Sequence, residues 1–492
     1  MAEIHNGGLM KEIIQVEKYN EVYNKISSEP SIMMELSEYF TFTVPGAKFM
    51  PAYKNKVWDG KIRLLNPMTG LLYAGLLKYI EEFCKSRDYE LEYLSDFSLE
   101  EFSLKEAKEF ILNIKPTMQP RDYQLDAFAH AVRERRAMLL SPTASGKSFI
   151  IYLLVRYYAK RTLIIVPTTS LVSQLASDFA DYGFESDRFV HRVFAGQDKG
   201  TDKPITITTW QSIYKLPKEF FDSFDVVIGD EAHLFKAKSL TSILTKLSGC
   251  RYRFGFTGTL DGTETHKLVL EGLFGPVRKV TTTKELIDKK HLSGFYIKAL
   301  VLSYPDHIKK MIAKSNNYQS ELDYIVTLPQ RNIFIKNLAL SLEGNTLILY
   351  QFVEKQGMYL ANILGNNDRS VHFVSGDISG NKREEIRKVV ENESNAIIVA
   401  SFGTFSTGIN IKNLHNIIFA SPSKSRVRNL QSIGRGLRKS DTKTSATLYD
   451  IADDLSWKGR KNYTLQHFME RVKIYNEEKF DYKIYKVSLN IK

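Results

Sequence analysis

The segment Ser141-Pro-Thr-Ala-Ser-Gly-Lys-Ser148 ends in Gly-Lys-Ser and lies between an apolar run, AMLL, and a helix-spaced apolar run, SFIIYLLVRYY. That layout is the one a phosphate-binding loop needs, because backbone N–H groups at a helix N-terminus converge on an anion. Thr143, Ala144, Ser145 and Gly146 would wrap the phosphates, and Gly146 permits close backbone approach. Lys147 supplies a point charge for the β- and γ-phosphates, and the Ser148 hydroxyl is placed for Mg2+. Ser141 stands where the pattern has its first glycine. A chance Gly-Lys-Ser in a turn is the competing reading, and the strand before and helix after weigh against it. Downstream, the apolar run FDVVIG delivers Asp230-Glu-Ala-His233. At a strand end, Asp230 can hold Mg2+ through water, and Glu231 can orient and deprotonate an attacking water. A solvated acidic pair would be the bland reading of those two residues in isolation. His233 reads either as a satisfied buried histidine or as a coupler between the nucleotide site and the other lobe.

A third group lies far along the chain, in Gln431-Ser-Ile-Gly-Arg-Gly-Leu-Arg438. Arg435 and Arg438 are three apart, so a helix would put both on one face. Guanidinium forks match phosphate oxygens, and such a finger is worth about 10³–10⁵ in rate. Carried by a different part of the chain, they would complete the site only on closure. Nucleotide would then be a ligand that prefers the closed state, and hydrolysis its release. A solvated basic helix is the alternative for these arginines.

Elements that could hold such groups are visible in the patterning. From about residue 115, short apolar runs alternate with helical ones: AMLLS, TLIIVP, ITITT, FDVVIGD and YRFGFTGT. Near-continuous apolar runs are the mark of parallel strands buried on both faces, and strand–helix alternation implies a doubly wound sheet. The pattern pauses near 281–340 in a charged, mostly helical stretch, then resumes with NTLILYQF, SVHFVSG, NAIIVAS, HNIIFAS and SATLYDI. Before it, LMKEIIQVEKYNEVYNKI spaces its apolar residues as a helix does. FTFTV and KVWDGKIRLL read as strands with a hairpin turn at Asp59-Gly60, and GLLKYIEEFCKS as an amphipathic helix. A polar, acidic stretch near 96–109 reads as a linker. The expected organisation is a small α+β domain over 1–112, α/β lobes over 113–285 and 286–460, and a C-terminal helix and strand over 461–492.

The 492 residues carry a net charge of +12, unevenly spread. Residues 1–115 hold 14 Lys and Arg against 18 Asp and Glu, a net −4, so the other 377 residues carry +16. Within the acidic domain, Lys48, Lys54, Lys56, Lys61 and Arg63 cluster with Phe49, Tyr53 and Trp58 interleaved. Cations among aromatics suit phosphate contact with base stacking or a wedge at a branch point. A solvated hairpin whose aromatics fill a small core is an equal alternative. No run of eighteen apolar residues occurs, so no membrane span is expected, and the N-terminus lacks a signal-peptide layout. Cys84 and Cys250 show no metal spacing and read as buried, unpaired thiols.

Taken in order, the motifs resemble those of superfamily 2 helicases of the DEAH/DExH type, over residues 119–458. Arg121 to Gln124 looks like the adenine-reading motif, Val166–Ser170 with Gln174 like motif Ia, and Phe256–Thr259 like motif III. Phe194–Gly196 and Thr208–Gln211 resemble strand-contacting motifs. In the second lobe, Leu349–Phe352, His372–Gly376, Ser401–Asn410 and Gln431–Arg438 resemble motif IV, the strand-contacting segment after it, motif V and motif VI. The resemblance implies two tandem RecA-like lobes, ATP and Mg2+ as cofactors, and nucleic acid as track. It assigns Lys147, Asp230, Glu231, Gln431, Arg435 and Arg438 to hydrolysis. Gly408 and Asn410 join the nucleotide contacts, with Asn410 standing where many members carry Asp. Thr168, Thr209, Ser375 and Thr407 are hydroxyl candidates for the nucleic-acid backbone, which such contacts follow without reading sequence.

A closer resemblance, to the recombination and fork-processing helicases of T-even bacteriophages, rests on three features. They are the acidic first domain with its basic hairpin, FGPVRKVTTTKELIDKKHLSGF, and SPSKSRVRNLQSIGRGLRK. It implies 3′-to-5′ movement and action on branched DNA: Holliday junctions, stalled forks and R-loops. Partners would be branched, duplex and single-stranded DNA, with RNA in RNA–DNA hybrids, and a cytoplasmic monomer is expected. Two alternatives stay open: the motor of a restriction-type complex, and an ATP-gated nucleic-acid clamp.

Overall fold

A computed structural model describes residues 12–193, 200–234, 237–260, 264–315, 317–365, 368–376, 380–408, 411, 413–423, 425, 432–434, 437, 445–489 and 491. The chain divides into two compact units, Met1–Ser141 with Gly146–Val280, and Pro142–Ser145 with Thr281–Lys492.

The first unit begins with a hairpin, β1 (Ile13–Lys18) and β2 (Tyr23–Ser27), where the helical spacing of LMKEIIQVEKYNEVYNKI had predicted a helix. Alternation decides against it. Ile14 and Val16 are buried while Ile13, Gln15 and Glu17 are not, so the side chains follow a two-residue period. The Asn20 side chain accepts from the Val22 and Tyr23 N–H groups at 2.7 and 2.9 Å and turns the chain back. Next come β3 (Thr41–Thr43) and β4 (Lys61–Arg63), which pair with each other. β5 (Leu71–Tyr73) and β6 (Glu90–Tyr93) complete a four-stranded sheet in the order β5-β2-β1-β6. Asp59-Gly60 forms a bend, with Gly60 at φ 80°, and not the expected hairpin turn, because KVW is not a strand and the partner of β4 is β3. Two short helical turns, Ala47–Phe49 and Pro51–Lys54, fill the excursion between β3 and β4.

The stretch expected to be a linker holds a helix, Leu104–Ile114, closed by a capping box between Ser103 and Glu106. Its Ala107 and Ile111 sit in the same apolar cluster as Phe128, Ile150 and Phe254, so it belongs to the first α/β core. That core surrounds seven parallel strands: β7 (Arg136–Leu140), β8 (Thr162–Val166), β9 (Val190–Val193), β10 (Ile205–Thr209), β11 (Val226–Gly229), β12 (Tyr252–Thr257) and β13 (Val277–Lys279). Their order is β13-β7-β12-β11-β8-β10-β9.

The N-terminal domain is not tethered to this sheet but fused to it. One apolar cluster runs from Ile14, Leu72, Leu76 and Ile80 into Leu270, Leu273 and Phe274. Full burial of such a side chain contributes about 1.5–3 kcal/mol. Gly75 meets the Glu271 carbonyl so closely that a Cβ there would lie 1.9 Å from its oxygen. The Tyr79 hydroxyl donates to Glu271 Oε2 at 2.6 Å, and the Val277 N–H donates to Glu271 Oε1 at 3.0 Å. Glu271, 4% exposed, thereby serves both sides of the seam.

The second unit holds another seven-stranded sheet, all parallel: β14 (Gly294–Ser303), β15 (Thr346–Tyr350), β16 (Val371–Val374), β17 (Ile397–Ser401), β18 (Asn416–Phe419), β19 (Ser445–Asp454) and β20 (Asp481–Ser488). The order is β16-β17-β15-β18-β19-β14-β20. The stretch expected to be mostly helical therefore contains a ten-residue strand, β14, between β19 and β20. Two buried ion pairs fix helices to β19. Arg331 donates to both Asp453 oxygens at 2.8 and 2.9 Å, with the Tyr304 hydroxyl adding a 2.7 Å bond. Arg471, on the helix Tyr463–Glu477, forks onto Asp450, which also accepts from the Tyr475 hydroxyl at 2.8 Å. The two sheets and the small α+β region are the fold expected from the sequence. No helix of the described residues is long and apolar enough to cross a membrane.

Candidate active site

β7, β12 and β11 are neighbours, and their carboxyl ends deliver the loop, the Phe256–Thr259 motif and the acidic motif to one edge. Ligands bind at that edge in sheets of this kind. Ser141 is buried at the end of β7, its N–H donating to the Thr257 carbonyl at 2.8 Å. The loop then turns through Ala144 at φ 67° and Gly146 at φ 79°, and the helix Lys147–Tyr158 begins. The Ser145 hydroxyl donates to the Pro142 carbonyl at 2.6 Å. Gln124 braces the turn from outside. Its Nε2 donates to the Gly146 carbonyl at 3.3 Å, while its Oε1 accepts from the Arg121 N–H at 2.9 Å. The Arg121 guanidinium donates to the Tyr123 hydroxyl at 2.8 Å.

Lys147 pairs directly with Glu231 and lies 3.9 Å from Asp230 Oδ1. Asp230 also accepts from the Glu231 N–H at 2.9 Å, while Glu231 itself sits at φ 49°. Burial pushes the Asp230 carboxyl up to about 6; Lys147 opposes that rise and the neighbouring Glu231 adds to it. Two acidic side chains against one ammonium make a site that a further cation would stabilise. The donors are carboxylate and hydroxyl oxygens, which suit a hard divalent ion. No group of three or more His, Cys, Asp or Glu residues arranged for a metal occurs among the described residues. Mg2+ in nucleotide sites is usually held by one or two carboxylates plus substrate phosphates and water. The Ser148 hydroxyl is within 2.7 Å of the Tyr182 hydroxyl.

His233, 2% exposed in its side chain, contacts Thr257 Oγ1 through Nδ1 at 2.5 Å and lies 3.6 Å from Glu231. The Thr257 hydroxyl donates to the Thr259 carbonyl at 2.7 Å, so it accepts from His233. The ring therefore joins the acidic motif to the β12 motif within the first unit, as a buried histidine with a hydrogen-bond partner.

Other sequence candidates fall in varied settings. Thr168 caps the helix Thr169–Asp181, accepting from the Leu171 N–H, and Thr209 is buried with its hydroxyl 2.9 Å from that of Ser212. Both stand at the carboxyl ends of adjacent strands, β8 and β10. Ser375 is buried just past β16. Only the helical backbone is described for Thr407 and Gly408, while Phe194–Gly196, Asn410, Gln431, Arg435 and Arg438 lie outside the described residues. On the first domain, Lys54, Lys56, Lys61 and Arg63 are exposed. Trp58 is half-buried, and its indole N–H donates to the Lys61 carbonyl at 2.8 Å. Arg63 is held by Asp59 at 2.5 Å. The most exposed apolar groups of this loop are Phe49, at 80%, and Val57, at 81%, ahead of Met50 at 41% and Tyr53 at 36%. The sequence set Phe49, Tyr53 and Trp58 side by side, and the structure leaves Phe49 the most exposed of the three.

Comparison with known proteins agrees with this arrangement. Residues 13–93 match the family model "DNA helicase UvsW, N-terminal", 117–262 that of "Type III restriction enzyme, res subunit", and 330–440 "Helicase conserved C-terminal domain". The chain is 29% identical over 197 residues to the DNA 3'-5' translocase XPB2 of Sulfurisphaera tokodaii, covering 40% of this chain and 43% of that one. The crystal structure of T4 UvsW superposes with a TM-score of 0.52 at 33% identity, covering 97% of this chain and 100% of that one. A Type ISP restriction-modification enzyme, LlaBIII bound to DNA, shares the fold at TM-score 0.54 and 16% identity, over 83% of this chain and 34% of that one. The ATP-dependent DNA helicase uvsW of Enterobacteria phage T4 is 34% identical over 97% of this chain and 100% of its own length, so the chain belongs to the UvsW family of ATP-dependent DNA helicases.

Proposed function

We propose that this helicase remodels branched DNA in recombination, replication and repair: Holliday junctions, stalled forks and R-loops, the last bringing RNA as a hybrid strand. The observation that carries the reading is the exposed Lys48–Arg63 loop on a domain fused to the nucleotide-binding sheet. Lys54, Lys56 and Lys61 would hold backbone phosphates, with Phe49 offered to a base or a branch point. Arg63 and Trp58 act more by shaping the loop, since both are engaged within it. Thr168, Thr209, Ser375 and Thr407 would follow one strand, in the 3′-to-5′ sense, and the chain would work as a monomer in the cytoplasm, that of a host cell if phage-encoded.

In hydrolysis, Ser148 and Asp230 would hold Mg2+, which supplies charge neutralisation on the phosphates when bound. Lys147 grips the β- and γ-phosphates, and its transfer from Glu231 to a phosphate oxygen leaves that carboxylate to orient and deprotonate water. Arg121 and Gln124 would set the adenine against the loop, and Gly408 and Asn410 would meet the nucleotide. Gln431, Arg435 and Arg438 carry their part in hydrolysis from motif VI alone.

A restriction-type motor would share the lobe matched over 117–262, but the match of 13–93 to a UvsW N-terminal domain favours the helicase. The test is an ATP-dependent remodelling panel of forks, four-way junctions, R-loops and tailed duplex, run beside ATPase assays. Branched substrates are expected to be remodelled and to stimulate turnover; absence of any stimulation by DNA would leave a clamp. Glu231→Gln is expected to lower kcat by about 10²–10⁴ while nucleotide still binds. Undiminished hydrolysis in that variant would remove Glu231 from the base role.

A further inference from the structure

At the opposite end of β7 from the phosphate loop, the seam between the N-terminal domain and the first sheet encloses a cavity of about 650 Å³. The end-to-end separation along this five-residue strand is about 13 Å, from a rise of roughly 3.3 Å per residue. The cavity has the size of a small-molecule site. Its deepest cation is Arg136, which opens β7. Nη2 donates to the Glu21 carbonyl at 2.8 Å, and the Glu21 carboxylate lies 3.8 Å away. Nη1 is buried and makes no hydrogen bond. A second guanidinium, Arg253, lies behind it, fully buried, and all three of its nitrogens donate to backbone carbonyls at 2.8–2.9 Å. The fully buried Arg253 and the mostly buried Arg136 therefore face one carboxylate, that of Glu21. An uncompensated buried charge and an unsatisfied buried donor are both costly, and an oxyanion relieves both at once. At the rim stand Lys78 and Arg251, exposed, with no ion pair to a carboxylate among the described residues. Lys18 and Arg135, also in the wall, are already taken by Glu21 and Glu100.

We propose that this seam cavity binds an oxyanion of the phosphate class, seated on Arg136 and guided in by Lys78 and Arg251. The shared chemistry is one tetrahedral oxyanion, whether free phosphate or the phosphate of a small molecule such as a mononucleotide. Planar guanidinium forks match such oxygens. The acids in the same wall, Glu81, Asp96 and Glu134, oppose a highly charged polyphosphate and favour a single phosphate group.

The test uses the full chain carrying Lys147→Ala, which disables the phosphate loop, so the result is independent of the helicase reading. Calorimetric titrations with inorganic phosphate and with a nucleoside monophosphate are run side by side. Saturable binding of either supports the proposal, and the tighter arm identifies the source. Adding Arg136→Met is expected to weaken it about tenfold or more, the loss due to one charged hydrogen bond. Lys78→Ala with Arg251→Ala, both at exposed positions, is expected to weaken it less and to fold normally should Arg136→Met not. A crystal grown with tungstate should show the anion against Arg136 Nη1. Unsaturable heats, affinity indifferent to all three residues, or only a water at Nη1 would overturn the assignment.

Discussion

Gly75 offers the sharpest check on the fused N-terminal domain. In Gly75→Ala the new Cβ would lie 1.9 Å from the Glu271 carbonyl oxygen and 2.8 Å from that of Gly272. Real Cβ contacts do not fall below 3.0 Å, so the segment must withdraw by at least 1.1 Å, and both obstacles are backbone. A withdrawal of that size stretches the 2.6 Å bond from Tyr79 to Glu271 beyond hydrogen-bond range. Loss of a charge-assisted bond costs about 1.5–3 kcal/mol, and overpacking adds about 1–3 kcal/mol. The expected destabilisation is therefore about 3–5 kcal/mol, concentrated in the unit that contains the seam. Gly249→Ala is the control, since a Cβ there meets nothing within 4 Å. It should fall within about 0.5 kcal/mol of the parent, as surface changes do. Urea denaturation followed by fluorescence and by circular dichroism reads both variants. Equal midpoints for the two would show that the seam yields without cost, and the shared-core argument would fail.

Phe49→Ala should change stability by less than about 0.5 kcal/mol, its ring being 80% exposed, yet weaken binding to a four-way junction by about 1–3 kcal/mol if the ring stacks on a base; unchanged junction affinity would retire it as a contact. Arg331→Met should cost about 3–5 kcal/mol by stranding Asp453, and Arg331→Met with Asp453→Leu should cost less than the single change. A double variant as unstable as the single one would contradict that reasoning. Burial pushes the Cys84 thiol up to about 11 and the Cys250 thiol up to about 12, so at pH 8 neither should react quickly with a disulfide reagent until denaturant is added. A rapid stoichiometric burst from the folded protein would refute it.

What could be read from the sequence was chemistry tied to short, contiguous motifs. Lys147 and Glu231 are 84 residues apart, yet the phosphate loop and the acidic motif each announce a strand end, and sheet topology does the rest. Apolar runs such as TLIIV and FDVVIG left little choice but buried parallel strands. Failures occurred where periodicity was ambiguous or the decisive partner was remote. IIQVEK fits a helix face or a strand face until Asn20 turns the chain. GFYIKALVLS alternates over ten residues, but lysine and tyrosine on its outer side disguised a strand. The seam was invisible because Gly75 and Glu271 meet across nearly two hundred positions, and neither belongs to a motif. Trp58 drew attention by its type, while the indole N–H was committed to Lys61 within its own turn.

The shared core has a mechanical corollary. A lever moves its load only if it is stiff between grip and fulcrum, and one apolar cluster packs the β3 and β4 strands that carry the Phe49 loop together with β7, the strand that launches the phosphate loop. On the proposed function, DNA held at that tip would travel with the first sheet instead of trailing on a leash. It also follows that trimming the chain at residue 112 would not yield a smaller engine. It would strip the cover from Leu270, Leu273 and Phe274 and leave an adhesive flank.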